Sequence, residues 1–142
     1  MNAAPSRHPG RKLLLAIGCL QVLTMSAHAE TNPLASLRWK ERVLVVVGPT
    51  NQTDAMAQDR IFKDAAAGMS ERDVTLVDAS GADPGSVAIR KSLSVGNKQF
   101  AVFLVGKDGN VALSSDKPLT ADYLFQRIDA MPMRQDEIHR RK

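Results

Sequence analysis

Apolar residues gather in two kinds of pattern along this chain. From Arg42 to Val47 five apolar residues follow one another, four of them valine. A continuous β-branched run of that length predicts a strand covered on both faces. Shorter runs at Val74–Val77 and Phe100–Val105 predict two more strands. Val111–Ser114 predicts a fourth, with a polar end that suits a sheet edge. Between the strands the period lengthens. From Asp54 to Glu71, the residues Ala55, Phe62, Ala66 and Met69 fall at spacings of 7, 4 and 3, the stripe of one long helix. Asp59, Arg60, Lys63 and Asp64 lie mostly off that stripe, and Gly68 is expected to loosen the last turn. Ser86–Leu93 predicts a short helix. Leu124, Ile128 and Met131 form the inward stripe of a last one, opened by Thr120 as N-cap, stapled by Leu119 onto Leu124, and stopped by Pro132.

The breaks between these segments carry their own signals. Gly48-Pro49 ends the first strand, and Thr50, Asn51 and Thr53 are each suited to cap the helix that follows. Ala79–Gly85 reads as a loop and Val95–Gln99 as a turn. Asp108-Gly109 supplies the positive φ of a tight hairpin between the third and fourth strands. Leu34, Leu37 and Trp39 are expected to pack on the domain edge. The order β-α-β-α-β-β-α predicts a single α/β domain, a mixed four-stranded sheet flanked by helices in the thioredoxin-like arrangement. Its two helical crossovers predict parallel pairing among the first three strands.

Composition changes this picture at the beginning of the chain. Arg7, Arg11 and Lys12 precede the mostly apolar run Leu13–Met25, and Ser26-Ala27-His28-Ala29 ends in a small-x-small pattern. Residues 1–29 therefore read as a secretory signal peptide cleaved before Glu30, which leaves residues 30–142 as the domain. The expected location is periplasmic or secreted, with no transmembrane span after cleavage. The alternative is a lipoprotein anchored through Cys19, because Ala16-Ile17-Gly18-Cys19 weakly resembles a lipobox. Cys19 is the only cysteine, so the cleaved chain has none and stands on its apolar core. The formal charge of +4 also shrinks: residues 30–142 keep 16 of the 19 Lys and Arg against all 15 Asp and Glu. No basic stripe interleaved with aromatics remains, so nucleic acid is not an expected partner. The basic end His139–Lys142 reads as a solvated terminus.

Four blocks then carry a family resemblance. They are Val43–Val47, Glu71-Arg72-Asp73-Val74, Phe100–Gly109 and Ile128–Arg134. In that order they resemble a bacterial domain of unknown function similar to the P-DUDES domain of the extracellular sushi-repeat protein family, over about residues 32–137. The resemblance implies a peroxiredoxin-related thioredoxin fold without established catalysis. Redox thioredoxin folds place a Cys-x-x-Cys or a single peroxidatic Cys where strand 1 meets helix 1; here that place reads Gly48-Pro49-Thr50-Asn51-Gln52. They also usually carry a cis-proline just before the third strand, where this chain has Lys98-Gln99. Thiol exchange needs a thiolate, so thiol oxidoreductase or peroxiredoxin activity is not expected.

Other chemistries find little support. Of the three histidines, His8 and His28 fall in the leader and His139 in the tail, which removes Ser-His catalysis and disfavours zinc. No carboxylate spacing marks an acid–base pair or a calcium loop. Met131-Pro132-Met133 reads as packing rather than a copper site. Pro49, Thr50, Asn51 and Arg60 remain as binding candidates, because a helix N-terminus near Thr50-Asn51 would attract an anion. For Arg60, Arg72 and Asp73 the plainer expectation is a salt-bridge or capping role. The sequence thus predicts no cofactor and a non-catalytic module for a protein or peptide partner; the alternative is a non-thiol enzyme or an anion-binding protein at that helix start.

Overall fold

The computed structural model describes residues 32–49, 52–96 and 99–141. Leader residues 1–29, with Cys19, lie outside the described residues, as do Thr50, Asn51 and Lys142. The elements are α1 (Leu34–Leu37), β1 (Arg42–Val47), α2 (Thr53–Asp64), α3 (Ala66–Glu71) and β2 (Val74–Asp78). They continue as α4 (Pro84–Ser92), β3 (Ala101–Val105), β4 (Val111–Ser115), α5 (Ala121–Asp129) and α6 (Pro132–Arg140). The four strands form one mixed sheet in the order β2-β1-β3-β4, with β1 inside it.

All six residues of β1 are buried, as its unbroken apolar run predicts for a strand covered on both faces. Leu44 and Val46 face a larger core with Met69, Val102, Leu104, Leu124 and Ile128, under α2, α3 and α5. Val43, Val45 and Val47 face a smaller one with Ala79, Ile89 and Val105, under α1 and α4. The period of two thus sorts one apolar run between two cores.

Pairing departs from the expected parallel set. β1 and β2 are parallel, but β1 and β3 are antiparallel, with Val47 opposite Ala101 and Val43 opposite Val105. The reason lies in the connection. Asp78 closes β2 level with Val46, and Ala101 opens β3 level with Val47, so α4 and the segment after it go out and return to the same end of the sheet. We call the end where β1 stops the upper end and the end where it starts the lower end.

Four further elements differ from expectation. The single helix over Asp54–Glu71 breaks at Ala65 (φ −103°, ψ 20°) into α2 and α3. Gly68 lies within α3 and acts by closeness: a Cβ there would sit 2.5 Å from the Phe125 ring. α4 starts at Pro84, two residues early, because Asp83 caps it by accepting from Ser86 N at 2.9 Å and proline suits the first helical position. Trp39 does not anchor the edge. It is 63% exposed at φ +67°, its N–H held by the Lys107 carbonyl at 2.6 Å, and the Arg38 guanidinium lies 5.2 Å from its ring centre.

The largest difference is α6. Pro132 follows the end of α5, but it also opens a nine-residue helix as its first residue. The basic end is therefore the last turn of a folded helix, with His139, Arg140 and Arg141 exposed. The Asp-Gly hairpin stands as expected, with Gly109 at φ +85°. Thr120 caps α5 by accepting from Tyr123 N at 3.3 Å.

Candidate functional site

The upper end is where the binding candidates fall. Gly48 adopts φ +129°, and a Cβ there would lie 2.9 Å from Phe100 Cα and 3.2 Å from the Gln99 carbonyl. The turn out of β1 therefore packs on the backbone that leads into β3, and only glycine satisfies both the space and the conformation. Pro49 is exposed just beyond, and its carbonyl accepts from Gln52 N at 2.9 Å. Gln52 is the N-cap of α2 and gives no side-chain cap bond, while Thr53 is the first helical residue rather than a cap. Arg60 is exposed on α2. Seven residues at 1.5 Å each place it about 10 Å along the helix from Thr53, so it is not brought to the strand–helix turn.

Beside this turn, on the α4 side of the sheet, an open cleft of ≈ 700 Å³ runs along the start of β3 and the end of β4. Val95, Phe100 and Phe103 give it apolar walls; Gln99, Ser114 and Asp116 give it a polar rim. β4 is an edge strand, and Arg127 covers part of that edge by donating from Nη2 to the Ala112 carbonyl at 3.3 Å. Ala112 is the extra residue of a bulge, since Leu104 pairs with Leu113 and Val105 with Val111. Above it, exposed Ser114 stands at the cleft.

The lower end is closed by charge. Glu137 of α6 takes Arg42 Nη1 and Nη2 at 3.3 and 3.2 Å, Lys107 Nζ at 2.8 Å and Arg134 Nη1 at 3.6 Å. Lys107 also meets Asp73 Oδ2 at 2.7 Å. Arg134 continues to Glu71 Oε1 at 2.8 Å and Asp129 Oδ1 at 3.3 Å, and Arg72 grips Asp129 through Nε at 2.9 Å and Nη2 at 2.7 Å. The Arg72 guanidinium also lies 4.3 Å from the centre of the Phe125 ring. Four cations thus meet four carboxylates, and Arg42 and Arg134 are only 1% and 2% exposed. Partial burial pushes the Glu137 carboxyl up, but the hydrogen bonds and charges of Lys107 and Arg42 outweigh it and hold it below its ordinary value. Asp129 is likewise lowered, burial being outweighed by Arg72 and Arg134. Among the described residues no group of three or more His, Cys, Asp or Glu is placed to hold a metal ion.

Three of the four resemblance blocks converge here, since Glu71, Arg72, Asp73, Lys107, Asp129 and Arg134 all belong to the cluster. Residues 33–137 match the model of a family described as a domain of unknown function, DUF4174. The chain belongs to this family. The DUF4174 match runs from α1 to Glu137, so it takes in the whole ion cluster. No curated protein matches the chain. Among solved structures the DUF4174 chain is similar to the reduced 2-Cys peroxiredoxin of Plasmodium vivax, with a TM-score of 0.53 and 16% identity over 77% of this chain and 85% of that one. That likeness shows the fold, which is thioredoxin-like.

Of the three residues expected in salt bridges or caps, Arg72 and Asp73 form ion pairs and Arg60 forms none among the described residues, while Arg42, Glu71, Lys107, Asp129, Arg134 and Glu137 were missed. One signal pointed to α6: a proline at a first helical position followed by charges three and four residues apart. Gln58 was missed too. It is fully buried, accepts from Leu119 N at 2.7 Å and donates to the Leu119 carbonyl at 3.2 Å.

Proposed function

We propose that this DUF4174 domain is a non-catalytic, exported module of the bacterial cell envelope that holds an extended segment of a partner protein beside β3. The observation that carries the reading is the open cleft of ≈ 700 Å³ at the start of β3. It combines apolar walls, which offer pockets for side chains, with the end of the edge strand β4, the kind of strand an extended chain can join. The strand–helix turn beside it has no thiol at Gly48, Pro49 or Gln52, which favours binding over exchange. The leader features of residues 1–29 support export, and the block resemblance to P-DUDES domains supports an extracellular-type role.

The test is selection of extended peptides against residues 30–142, followed by titration of the best one into isotopically labelled protein. Saturable amide shifts at Gly96, Ala101 and Ser114 are expected, with loss of binding in Ser114→Trp. A selected peptide that shifts none of these amides sinks the reading. Export is checked by the intact mass of protein recovered from its host. An N-terminus at Glu30 supports a free domain, lipidated Cys19 supports an anchored one, and an intact leader removes export.

A further inference from the structure

The sheet has two edges, and they are finished differently. At the β4 edge Arg127 meets the Ala112 carbonyl, and the bulge at Ala112 interrupts the ladder. Both devices discourage a further strand. β2, at the opposite edge, has neither. It pairs with β1 in unbroken register, and Val74-Thr75-Leu76-Val77 are residues that suit a strand.

The ladder shows which main-chain groups of β2 are free. The Asp73 carbonyl accepts from Arg42 N at 2.7 Å, and Ala79 N donates to the Val46 carbonyl at 2.8 Å, so the odd-numbered positions bond inward to β1. The N–H and C=O groups of Val74, Leu76 and Asp78 therefore point outward. Among the described residues none of these groups meets another hydrogen-bond partner.

Two cavities, of ≈ 510 and ≈ 170 Å³, lie between this edge and the helices α2 and α3, and Leu76 lines both. Phe62 and Met69 give the first an apolar wall; Met56, 59% exposed, gives one to the second. Their charged lining is all acidic, Glu41 and Asp73 in the first and Asp59 and Asp78 in the second. Lys107 engages Asp73 and Lys63 engages Asp59, but no ion pair involves Glu41 or Asp78 among the described residues. Arg42 is level with Val74, so Glu41 and Asp78 stand at opposite ends of β2, about 16 Å apart along the strand.

We propose that β2 accepts an extended segment of a partner protein as a further strand, the segment carrying Lys or Arg at both ends and apolar residues between. Val74, Leu76 and Asp78 supply the main-chain bonds, Phe62, Met56 and Leu76 take the apolar side chains, and Glu41 and Asp78 take the cations. A second copy of the chain is the poorer occupant. Antiparallel pairing of β2 with itself about Leu76 sets Asp78 opposite Val74 and next to Asp73, acid against acid.

The experiment titrates the acetylated and amidated peptide Lys-Lys-Val-Thr-Val-Thr-Lys-Lys into labelled protein. Two comparison peptides carry glutamate for every lysine, or N-methyl groups on the central residues. The expected result is saturable binding with slowed hydrogen exchange at the Val74, Leu76 and Asp78 amides, while Thr75 and Val77, already bonded to β1, change least. Both comparison peptides are expected to bind at least about tenfold more weakly. Glu41→Gln combined with Asp78→Asn keeps the bond from Ser80 N to residue 78 and is expected to weaken the first peptide by about three- to tenfold. Equal binding of the N-methylated peptide overturns strand pairing. Equal binding of the glutamate peptide, or undiminished binding in the double variant, overturns the basic partner. Protection at Leu76 that appears on concentrating the protein alone gives the edge to a second copy and overturns the proposal. Changes confined to Ala101 and Ser114, beside the other cleft, overturn the site.

Discussion

At the upper end of the sheet, backbone rests on backbone: Gly48 lies against Phe100, and the neighbouring cleft stays open. At the lower end, side-chain charge does the joining, and Glu137 alone draws α6 onto cations from β1, the β3–β4 hairpin and its own helix. The upper end is the place where thioredoxin folds keep their chemistry, and here its described turn residues Gly48, Pro49 and Gln52 bring no thiol. The buried cations Arg42, Lys107 and Arg134, which would first attract attention in a search for function, are instead matched with carboxylates at the other end. Perturbed carboxylates accordingly mark a structural joint as readily as a reactive site. What separates the two in this molecule is completeness: almost every charge in the joint has its partner, and the exception is one nitrogen of Arg42.

The contrast is open to attack from both ends. Arg134→Ala, which takes one partner each from Glu71, Asp129 and Glu137 while Arg72 still holds Asp129, is expected to cost about 3 kcal/mol in urea unfolding; a loss below about 1 kcal/mol would show that α6 is held by other means. Gly48→Ala is expected to cost about 2–3 kcal/mol through the backbone clash and the positive φ. The same denaturation series checks it, and a neutral result would mean that the turn yields easily. Gln58→Leu removes both bonds to Leu119 and is expected to cost about 2 kcal/mol, with faster hydrogen exchange at the Leu119 amide. Unchanged exchange would detach Gln58 from that segment.

Acid sharpens the comparison further. Glu137 and Asp129 have folded values below their ordinary ones, so the stability they contribute is fully present above about pH 5 and is lost as pH falls through the lowered values. Glu137→Gln is expected to flatten that acid limb in unfolding measured across pH, whereas Ser114→Trp at the upper end leaves its shape alone. Smallest of all, Arg60→Ala is expected to change stability by less than about 0.5 kcal/mol, because the residue is exposed on α2. A larger loss in calorimetry would give Arg60 a role that its placement does not.

Much of the fold was legible because its signals are local. Apolar runs announced the strands, Asp108-Gly109 the hairpin, and Thr120 with Leu119 the start of α5. α6 was not, for a physical reason: Met133 and Ile138 are its only large apolar residues, and it docks through Arg134 and Glu137. Hydrophobic periodicity registers burial of hydrocarbon and is blind to a helix buried through its charges. The Arg42–Glu137 pair spans 95 positions, a distance that no window along the chain covers. The antiparallel run of β3 was hidden in the same way. The pattern marks α4 as a crossover but does not say that the chain turns back on itself after it. For the candidate site, Pro49 and Arg60 were read from one short region, but Arg60 lies about two helical turns along α2 from its start.

The Arg42–Glu137 pair joins the first strand of the domain to its last helix. A pulling force applied between the domain's two ends therefore loads this joint before it reaches the ladder between β1 and β3. Under tension the domain would yield first at α6, one ion pair after another, with the sheet and its upper cleft still assembled. If the domain is pulled from both ends, the joint acts as a mechanical fuse that gives way while the upper cleft keeps its shape.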